Sequence, residues 1–319
     1  MTATTRTVRR WQRVDGVVLL DKPAGVTSNA ALQVVRRLYA AAKGGHTGTL
    51  DPLATGLLPL CFGEATKFSA DLLDAPKTYE AEVLFGVTTS TGDAEGEVLA
   101  RQRVDFSLPE LERTLASFRG SIRQVPPMYS ALKRNGRPLY ELARQGVTVE
   151  RAARSVTIHT LELLAFSGER CKVRVICSKG TYIRVLIEDI GQMLACGAHL
   201  TALRRTAVGD LTLDAAISLS ALESGGETVR RQALLPVDTL LRSLMPVKLN
   251  DVAAQRFAHG NPVMLSGAEQ GGALKKCDDC GSGEKCRVYH GARLLGVGAL
   301  DFDGQLRPVR LLVAEPAHS

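Results

Sequence analysis

Residues 44–60 read GGHTGTLDPLATGLLPL, and the interpretation of the whole chain starts from this stretch. It contains four glycines, two prolines and one carboxylate, that of Asp51. Because glycine and proline punctuate its first half, the stretch is not expected to begin as a regular helix or a central strand. Its end is apolar, with Leu57, Leu58 and Leu60. We therefore predict a shaped loop that presents Asp51 and is anchored at its far end in a hydrophobic core.

The glycines of this stretch do not form a known phosphate-binding loop. A Walker loop ends in Gly-Lys-Ser/Thr, whereas Lys43 precedes the glycines here. No strand-like run stops just before them, so a Rossmann fingerprint is excluded as well. A carboxylate on a shaped loop can act as a nucleophile or as a base. Composition alone leaves an ordinary structural loop as the alternative.

The segment HTGTLDPLATGLLPL closely resembles the catalytic signature of the tRNA pseudouridine synthase B (TruB) family. The family's catalytic Asp lies in the GTLDP segment, so the resemblance assigns this role to Asp51. It also assigns His46 to shaping the RNA loop, and a matching KPxGxTS segment adds Lys22 to the substrate-binding candidates. At the KTYEA position, Tyr79 corresponds to an active-site tyrosine that packs against the target base. Leu203, in the matching segment GAHLTALRRT, corresponds to a leucine that contacts uracil.

A second motif, KGTYIR, supplies Lys179, Tyr182 and Arg184 as further candidates. Arg184 falls in the first turn of a predicted helix, where a cation costs ~0.3–1 kcal/mol, so we expect it to have an anionic partner. An exposed, screened arginine is the alternative. The resemblance places Arg184 against the catalytic carboxylate, and we expect this cation to lower the pKa of Asp51. Lys179 and Tyr182 are expected to contact substrate.

Hydrophobic periodicity predicts a mixture of strands and helices. Strands are predicted at residues 16–21, 78–87 and 171–178, and helices from Thr27 or Ser28 to about residue 42 and over residues 107–118. The resemblance implies an α+β pseudouridine synthase fold with a long mixed, mainly antiparallel sheet. A β-rich PUA-like module is expected to follow it.

The chain divides into three predicted regions. Residues 1–12 are expected to be a flexible N-terminus, and residues 13–245 the catalytic domain. From a break near residues 242–246, one helix and several short strands form the PUA-like RNA-binding domain, residues 246–319. The resemblance to this module is looser than the resemblance of the catalytic motifs.

Basic residues concentrate in one insertion, at about residues 124–154. The net charge is +7 and the isoelectric point is near 9.1, which favours a polyanionic partner. From Arg119 to Arg154 there are eight Lys or Arg against two Glu, interleaved with Tyr129 and Tyr140. This composition is typical of a protein that follows a phosphate backbone, with a solvated insertion as the alternative. The family has a similar QxPPxYSAxKxxGxxxYxxAR segment, which forms a mobile flap that closes on RNA.

No targeting signal is recognised in this sequence. The basic N-terminus lacks the apolar stretch of a secretory signal, and no apolar run reaches the roughly twenty residues of a membrane span. Seven cysteines, an odd number and mostly scattered, indicate reduced thiols. We therefore expect a cytoplasmic protein with no membrane partner.

One group of residues has the spacing of a metal site. Cys277, Cys280, Cys286 and His290 give C-x2-C-x5-C-x3-H, a set that could hold zinc. The family pattern does not require such a cluster, and cysteines in a polar insertion are often free thiols. The main prediction is therefore that the protein has no metal and no cofactor, with this cluster as the alternative.

The resemblance implies an isomerase that converts the T-loop uridine at position 55 of tRNA to pseudouridine. The implied partner is the T-arm of tRNA, with no obligatory protein partner, and we expect a monomer. Whether Asp51 attacks the ribose, attacks the pyrimidine or removes a ribose proton stays open. The alternatives are a guide-dependent synthase subunit and an RNA-binding or tRNA-folding chaperone with secondary catalysis.

Overall fold

The computed structural model describes residues 11–265 and 283–313. Its strands are β1 (Gly16–Lys22), β2 (Gly44–His46), β3 (Thr55–Phe62), β4 (Lys77–Phe85), β5 (Val87–Thr89), β6 (Val98–Arg101), β7 (Gly120–Gln124), β8 (Lys133–Arg134), β9 (Arg137–Pro138), β10 (Arg154–Ser167), β11 (Arg170–Cys177), β12 (Ala198–Val208), β13 (Leu211–Thr212), β14 (Ile217–Ser218), β15 (Met245–Leu249), β16 (Val263–Met264), β17 (Glu284–His290), β18 (Arg293–Leu300) and β19 (Gln305–Leu311). Its α-helices are α1 (Ser28–Leu38), α2 (Ser69–Asp74), α3 (Leu108–Ser117), α4 (Leu139–Arg144), α5 (Ile183–Met193), α6 (Leu219–Ser224), α7 (Gly226–Ala233) and α8 (Asp251–Ala258). Short 3-10 turns occupy Gly63–Lys67, Leu213–Ala215 and Val237–Leu241.

A ten-stranded sheet forms the body of the molecule. Its main path runs β14-β1-β3-β12-β4-β11-β10-β7, with β2 beside β3 and β13 beside β12. The pairs β1–β14 and β3–β12 are parallel, and the other pairs in this sheet are antiparallel. The predicted α+β fold with a long mixed, mainly antiparallel sheet is therefore confirmed.

The neighbouring strands β1 and β3 are buried on both faces. Val18 of β1 and Leu58 of β3 belong to a large core that includes residues of α1, α3 and α5. Val17 and Leu57 directly precede these two residues in their strands. Because successive side chains of a strand point to opposite faces, they belong to a second core on the other face of the sheet. Burial on both faces explains why these strands read as continuous apolar runs rather than as an alternating pattern.

The second half of the opening motif is a strand, not a loop. The loop is confined to residues 47–54, and β3 carries the rest of the motif between β1 and β12. The expected anchoring in a hydrophobic core is confirmed, since seven of the eight residues of β3 are buried. Gly56 has φ +100°, and a Cβ atom there would lie 2.2 Å from the carbonyl oxygen of Arg205 on β12. Glycine at this position therefore permits the close approach of β3 and β12.

Two predicted boundaries shift for local reasons. Helix α1 begins after the expected N-cap, Thr27, whose side chain accepts from the N–H of Ala30, but it ends at Leu38 rather than near residue 42. Ala40 takes φ +49°, which turns the chain out of the helix. Strand β4 stops at Phe85 because Gly86 takes φ +80°.

The C-terminal region forms a separate five-stranded sheet in the order β15-β17-β18-β19-β16. Helix α8 packs on this sheet and begins after its N-cap, Asn250, whose side chain accepts from the N–H of Ala253. Val297 of β18 joins the second core of the large sheet, and the Tyr289 hydroxyl donates to Asp238 at 2.7 Å. The two sheets therefore share apolar and polar contacts. Within residues 11–265 and 283–313, none of the helices is long and apolar enough to cross a membrane.

Candidate active site

The Asp51 loop is held from both sides by the segment between β1 and α1. The Ser28 hydroxyl, which is buried, donates to the Leu50 carbonyl at 2.9 Å and accepts from the Leu50 N–H at 2.7 Å. On the other side, the Lys22 ammonium donates to the Pro52 carbonyl at 3.4 Å. Both neighbours of Asp51 are thus fixed by side chains of the KPAGVTS segment.

Lys22 supports this loop from inside the protein. The side chain is fully buried, and its ammonium donates to the carbonyls of Pro23 and Val26 at 2.8 and 2.7 Å, besides that of Pro52. Burial lowers the pKa of Lys22 to about 8. The residue does not line the cavity in which the Asp51 carboxyl lies. Substrate binding by Lys22 therefore stays a prediction, while the contacts of its ammonium with three carbonyl groups give it a part in holding the loop.

Arg184 connects the Asp51 loop to two other segments. Its guanidinium lies 2.9 Å from the Asp51 carboxylate and 3.5 Å from that of Asp93. It also donates to the carbonyls of Thr91 and Tyr129, at 2.8 and 2.7 Å. The side chain is 5% exposed, so the anionic partners expected for this cation are present in a desolvated environment. The structure thus brings Asp51 and Arg184 together.

The pKa of the Asp51 carboxyl is raised above its ordinary value. Burial is the largest cause, and the negative charge of Asp93 adds to the rise, whereas Arg184 and Lys22 act in the opposite direction. The carboxyl opens on the cavity, with 39% of the side chain accessible. The expectation that Arg184 lowers the pKa of Asp51 is confirmed for the effect of this cation, but the loss of hydration on burial outweighs it and the net pKa is raised.

Asp51 and Arg184 line a cavity of about 350 Å³, a size typical of small-ligand sites. Three further predicted residues, Tyr79, Tyr182 and Leu203, lie in its wall. Burial raises the pKa of the Tyr79 hydroxyl, which keeps this tyrosine protonated at neutral pH. The cavity thus combines the Asp51–Arg184 ion pair with aromatic and apolar side chains that suit a flat ring, and with the further cations Lys77, Arg154 and Arg205.

Two other predicted residues lie outside the cavity wall. His46 is on β2, where its Nδ1 atom is buried without a hydrogen-bond partner among the described residues. Burial, reinforced by the nearby Arg205, lowers the pKa of His46. The Lys179 ammonium is exposed and lies 2.7 Å from the Asp74 carboxylate.

Four charged residues of the site were not identified as candidates in the sequence, namely Lys77, Asp93, Arg154 and Arg205. Asp93 lies in a turn-rich loop with no periodic pattern, so nothing local marked it as a partner of Arg184. Arg205 is 1% exposed, and its guanidinium donates to the carbonyls of Leu57 and Gly48 at 2.8 and 3.1 Å. Arg205 lies in the segment GAHLTALRRT, which already matched the family. A charged residue at a buried position of β12 was the signal that could have identified it.

The basic insertion reaches the cavity at its beginning. Ser130, Ala131 and Leu132 contribute to the cavity wall, and the Tyr129 carbonyl accepts from Arg184. The strands β8 and β9 pair as a short hairpin, and α4 follows. The insertion therefore covers one side of the cavity and carries positive charge next to it.

The described members of the possible zinc cluster do not come together. The Cys286 thiol is buried and donates to the Gly298 carbonyl, whereas the His290 ring lies 2.7 Å from the Asp251 carboxylate. Burial raises the pKa of Cys286 to about 12, which disfavours the thiolate that zinc binds. Cys277 and Cys280 lie outside the described residues. Among the residues described, no group of three or more His, Cys, Asp or Glu could hold a metal ion.

Three family models match the chain in consecutive segments. Residues 36–183 match the TruB family pseudouridylate synthase N-terminal domain. Residues 184–242 match the tRNA pseudouridylate synthase B C-terminal domain, and residues 246–312 match the C-terminal domain of pseudouridine synthase II TruB.

Similar proteins cover nearly the full length of the chain. The tRNA pseudouridine synthase B of Dechloromonas aromatica is 58% identical over 304 residues, 95% of this chain and 97% of that protein. That of Azoarcus sp. is 55% identical over 302 residues, 95% of this chain and 96% of that protein.

Solved structures share the fold at lower identity. An H/ACA RNP bound to a substrate RNA containing 2′-deoxyuridine has a chain that superposes with a TM-score of 0.68 at 23% identity, covering 94% of this chain and 85% of that chain. A chain of an archaeal box H/ACA sRNP complex superposes with a TM-score of 0.65 at 24% identity, covering 97% of this chain and 88% of that chain.

Proposed function

The chain belongs to the TruB family of pseudouridylate synthases, and we propose that it isomerises the uridine at position 55 in the T-loop of tRNA. Pseudouridine synthases are isomerases, and the relatives from Dechloromonas aromatica and Azoarcus sp. are named for action on tRNA. The net charge of +7 and the basic insertion beside the cavity support an RNA substrate.

The observation that carries this proposal is the Asp51 carboxylate on the cavity wall. Among the described residues that line the cavity, Asp51 supplies the one carboxylate, and Arg184 holds it at 2.9 Å. The loop around Asp51 is fixed by Ser28 and Lys22, so the carboxylate is presented in a defined direction. A fixed carboxylate in an apolar and aromatic cavity suits attack on, or proton removal from, a nucleoside.

The target uridine must leave its stack before this carboxylate can reach it. Extrusion of a base costs a few kcal/mol, which aromatic side chains can offset by stacking on it. Tyr79, Tyr182 and Leu203 line the cavity and would enclose the extruded base. We assign them to holding the ring during the reaction.

The isomerisation needs no redox step. The bond from N1 to C1′ breaks, the ring rotates, and a bond from C5 to C1′ forms. C5 loses a proton and N1 gains one, so atoms and electrons balance within the nucleoside and a proton acceptor. Asp51 acts in its ionised form, and Arg184 stabilises the carboxylate and keeps it in place.

We further propose that the protein acts alone, as a monomer, in the cytoplasm. In this proposal, the five-stranded C-terminal unit is a PUA-like module that contacts RNA outside the cavity. The relatives named tRNA pseudouridine synthase B match this chain over 95% of its length.

The decisive test is conversion of an unmodified tRNA transcript by the purified protein with nothing else added. We expect pseudouridine at the T-loop position, and we expect Asp51→Asn to lose conversion by at least about 10³-fold while retaining RNA binding. Asparagine keeps the size of the side chain and removes its charge. The control is Asp105→Asn, the same change at an exposed position before α3, which should retain full conversion.

Three outcomes would contradict the proposal. Full conversion by the Asp51→Asn variant would remove Asp51 from the chemistry. Tight binding of the transcript without conversion would indicate a guide-dependent enzyme or an RNA-folding protein. Conversion outside the T-loop would change the substrate.

A further inference from the structure

The two ends of the basic insertion meet at Tyr182. The insertion leaves the large sheet after β7 and returns at β10, and the register pairs Gln124, the last residue of β7, with Arg154, the first residue of β10. Both residues contact Tyr182, which precedes α5 and lines the cavity. The position of this tyrosine is therefore set by the first and last residues of the insertion.

Gln124 holds the backbone of Tyr182. The side chain is 1% exposed. Its amide nitrogen donates to the Tyr182 carbonyl at 3.2 Å, and its amide oxygen accepts from the Tyr182 N–H at 3.0 Å. This pair of hydrogen bonds leaves the tyrosine ring as the movable part of the residue.

Arg154 holds the ring of Tyr182. The centre of its guanidinium lies 4.9 Å from the ring centroid, the geometry of a cation–π contact. One terminal nitrogen donates to the Gly180 carbonyl at 2.5 Å. Arg154 itself lines the cavity, beside the ring that it covers.

One donor of Arg154 has no acceptor. Its Nε atom is buried and has no hydrogen-bond partner among the described residues. Buried N–H groups of folded proteins are almost always paired, so this donor calls for an oxygen acceptor from water or from a ligand at the cavity wall that Arg154 lines. The single carboxylate of the cavity wall, Asp51, is paired with Arg184 and does not serve this donor.

The chemistry of this unpaired donor selects an anion. A guanidinium is a permanent cation, and its planar donors match the oxygens of a phosphate group. Every nucleotide that enters the cavity from an RNA carries a phosphodiester on each side of its ribose. An RNA phosphate is therefore the anion that the substrate itself brings to Arg154.

We propose that Arg154 binds a phosphate of the RNA next to the uridine that enters the cavity, and that its contact with Tyr182 holds the tyrosine ring against that uridine. The inference rests on the proposed function, since it takes RNA as the substrate. Arg154 is in this view a binding and positioning residue and takes no part in bond breaking. It also joins the return strand of the insertion to the nucleotide in the cavity.

The salt dependence of RNA binding tests the phosphate contact. The logarithm of the binding constant falls linearly with the logarithm of the salt concentration. On a single strand, each phosphate contact that a protein loses reduces the steepness of this dependence by about 0.7. We expect Arg154→Ala to lower the slope by about 0.7–0.9, so that the affinity ratio between wild type and variant falls about threefold between about 50 and 200 mM salt. The control is Arg231→Ala on α7, where the arginine is 81% exposed and outside the cavity wall, and its slope should stay at the wild-type value.

A second variant separates charge from ring contact. Arg154→Lys keeps a cation, so we expect it to keep the salt slope. Lysine lacks the planar guanidinium that lies over Tyr182, so we expect a single-turnover rate about tenfold below that of wild type at saturating RNA. If Arg154 served stability alone, Arg154→Ala would leave the salt slope at the wild-type value, and Arg154→Lys would not lower the single-turnover rate at saturating RNA.

The result that overturns the inference is a salt slope for Arg154→Ala equal to that of wild type. Thermal unfolding checks that the variant is folded, and Arg154→Gln, which keeps polar donors without charge, replaces it if the alanine variant does not fold. Conversion of the same transcript by the wild type is measured in parallel. If the wild type converts and the slope is unchanged, the inference on Arg154 fails alone, whereas no conversion by the wild type means that the proposed function has failed.

Discussion

At the scale of single residues, the Asp51 carboxyl is the point where burial and charge compete. Its neighbours are Arg184, which favours the ionised form, and Asp93, which disfavours it. Burial tips the balance toward a raised pKa. A carboxylate that is costly to ionise is also a stronger base and nucleophile once it is ionised, which suits the reaction proposed for it.

The pH dependence of activity follows from this balance. In the proposed mechanism Asp51 acts in its ionised form, so kcat/KM is expected to fall as the pH falls through the raised pKa of Asp51. Replacement of Asp93 by Asn removes a negative charge that raises this pKa, so the pKa of Asp51 decreases and the acid limb moves to lower pH. The measurement is kcat/KM between about pH 5 and 8 for wild type and Asp93→Asn.

The Asp105→Asn protein serves as the control for the loss of one carboxylate, and its acid limb should coincide with that of wild type. An acid limb of Asp93→Asn that stays in place or moves to higher pH would show that Asp93 does not act on Asp51 through its charge.

At the scale of secondary structure, β3 anchors the Asp51 loop in the large sheet. The loop that precedes this strand carries Asp51, and the strand itself lies between β1 and β12. Gly56 permits the close approach of β3 to β12, because its backbone has φ +100° and passes close to the carbonyl oxygen of Arg205. The guanidinium of the same arginine donates to the carbonyls of Gly48, near the start of the loop, and Leu57, just after its end.

Replacement of Gly56 by alanine should therefore destabilise the protein strongly. Its Cβ atom would lie 2.2 Å from the Arg205 carbonyl oxygen, in addition to the strain of a positive φ. We expect the free energy of unfolding to fall by about 3–5 kcal/mol, measured by urea denaturation. The matched control is Gly168→Ala, at φ +60° in the turn between β10 and β11, where an added methyl carbon would have no atom within 4 Å, and a loss of about 1 kcal/mol is expected. Equal losses for the two variants would mean that strain, not the contact with β12, decides the cost.

At the scale of the whole molecule, the two sheets are joined by a common core. Val297 of β18 is 2% exposed and packs with Val17, Leu57 and Leu241 of the large sheet and its following turn. The Lys67 ammonium also donates to the Leu311 carbonyl at 3.1 Å. Contacts of this kind predict that the C-terminal sheet and the large sheet unfold together.

The Val297→Ala variant tests this coupling. Truncation of this buried side chain should lower the free energy of unfolding by about 1–3 kcal/mol. The single tryptophan, Trp11, lies against Arg36 on the large-sheet side, so its emission follows that part of the molecule. We expect the transition seen by Trp11 to shift together with that seen by far-ultraviolet circular dichroism. Val309→Ala, at a half-exposed position of β19, should shift neither, and a Trp11 transition unaffected by Val297→Ala would show that the sheets unfold independently.

Local features of this protein were predictable from the sequence because they depend on neighbours a few residues away. The N-caps of α1 and α8, the alternation of β4 and the motif around Asp51 belong to this class. The family resemblance added the fold and the pairing of Arg184 with a carboxylate. These inferences needed no knowledge of where the strands lie in the sheet.

The sequence by itself thus determined the family, the class of fold and five residues of the cavity wall, namely Asp51, Tyr79, Tyr182, Arg184 and Leu203. Only the tertiary structure decided that Lys22 is enclosed behind the loop, that Asp93 shares Arg184 with Asp51, and that the pKa of Asp51 rises. The physical reason is that desolvation and charge–charge interactions depend on distances between segments far apart in the chain, which the register of the sheet sets and no local pattern of residues records.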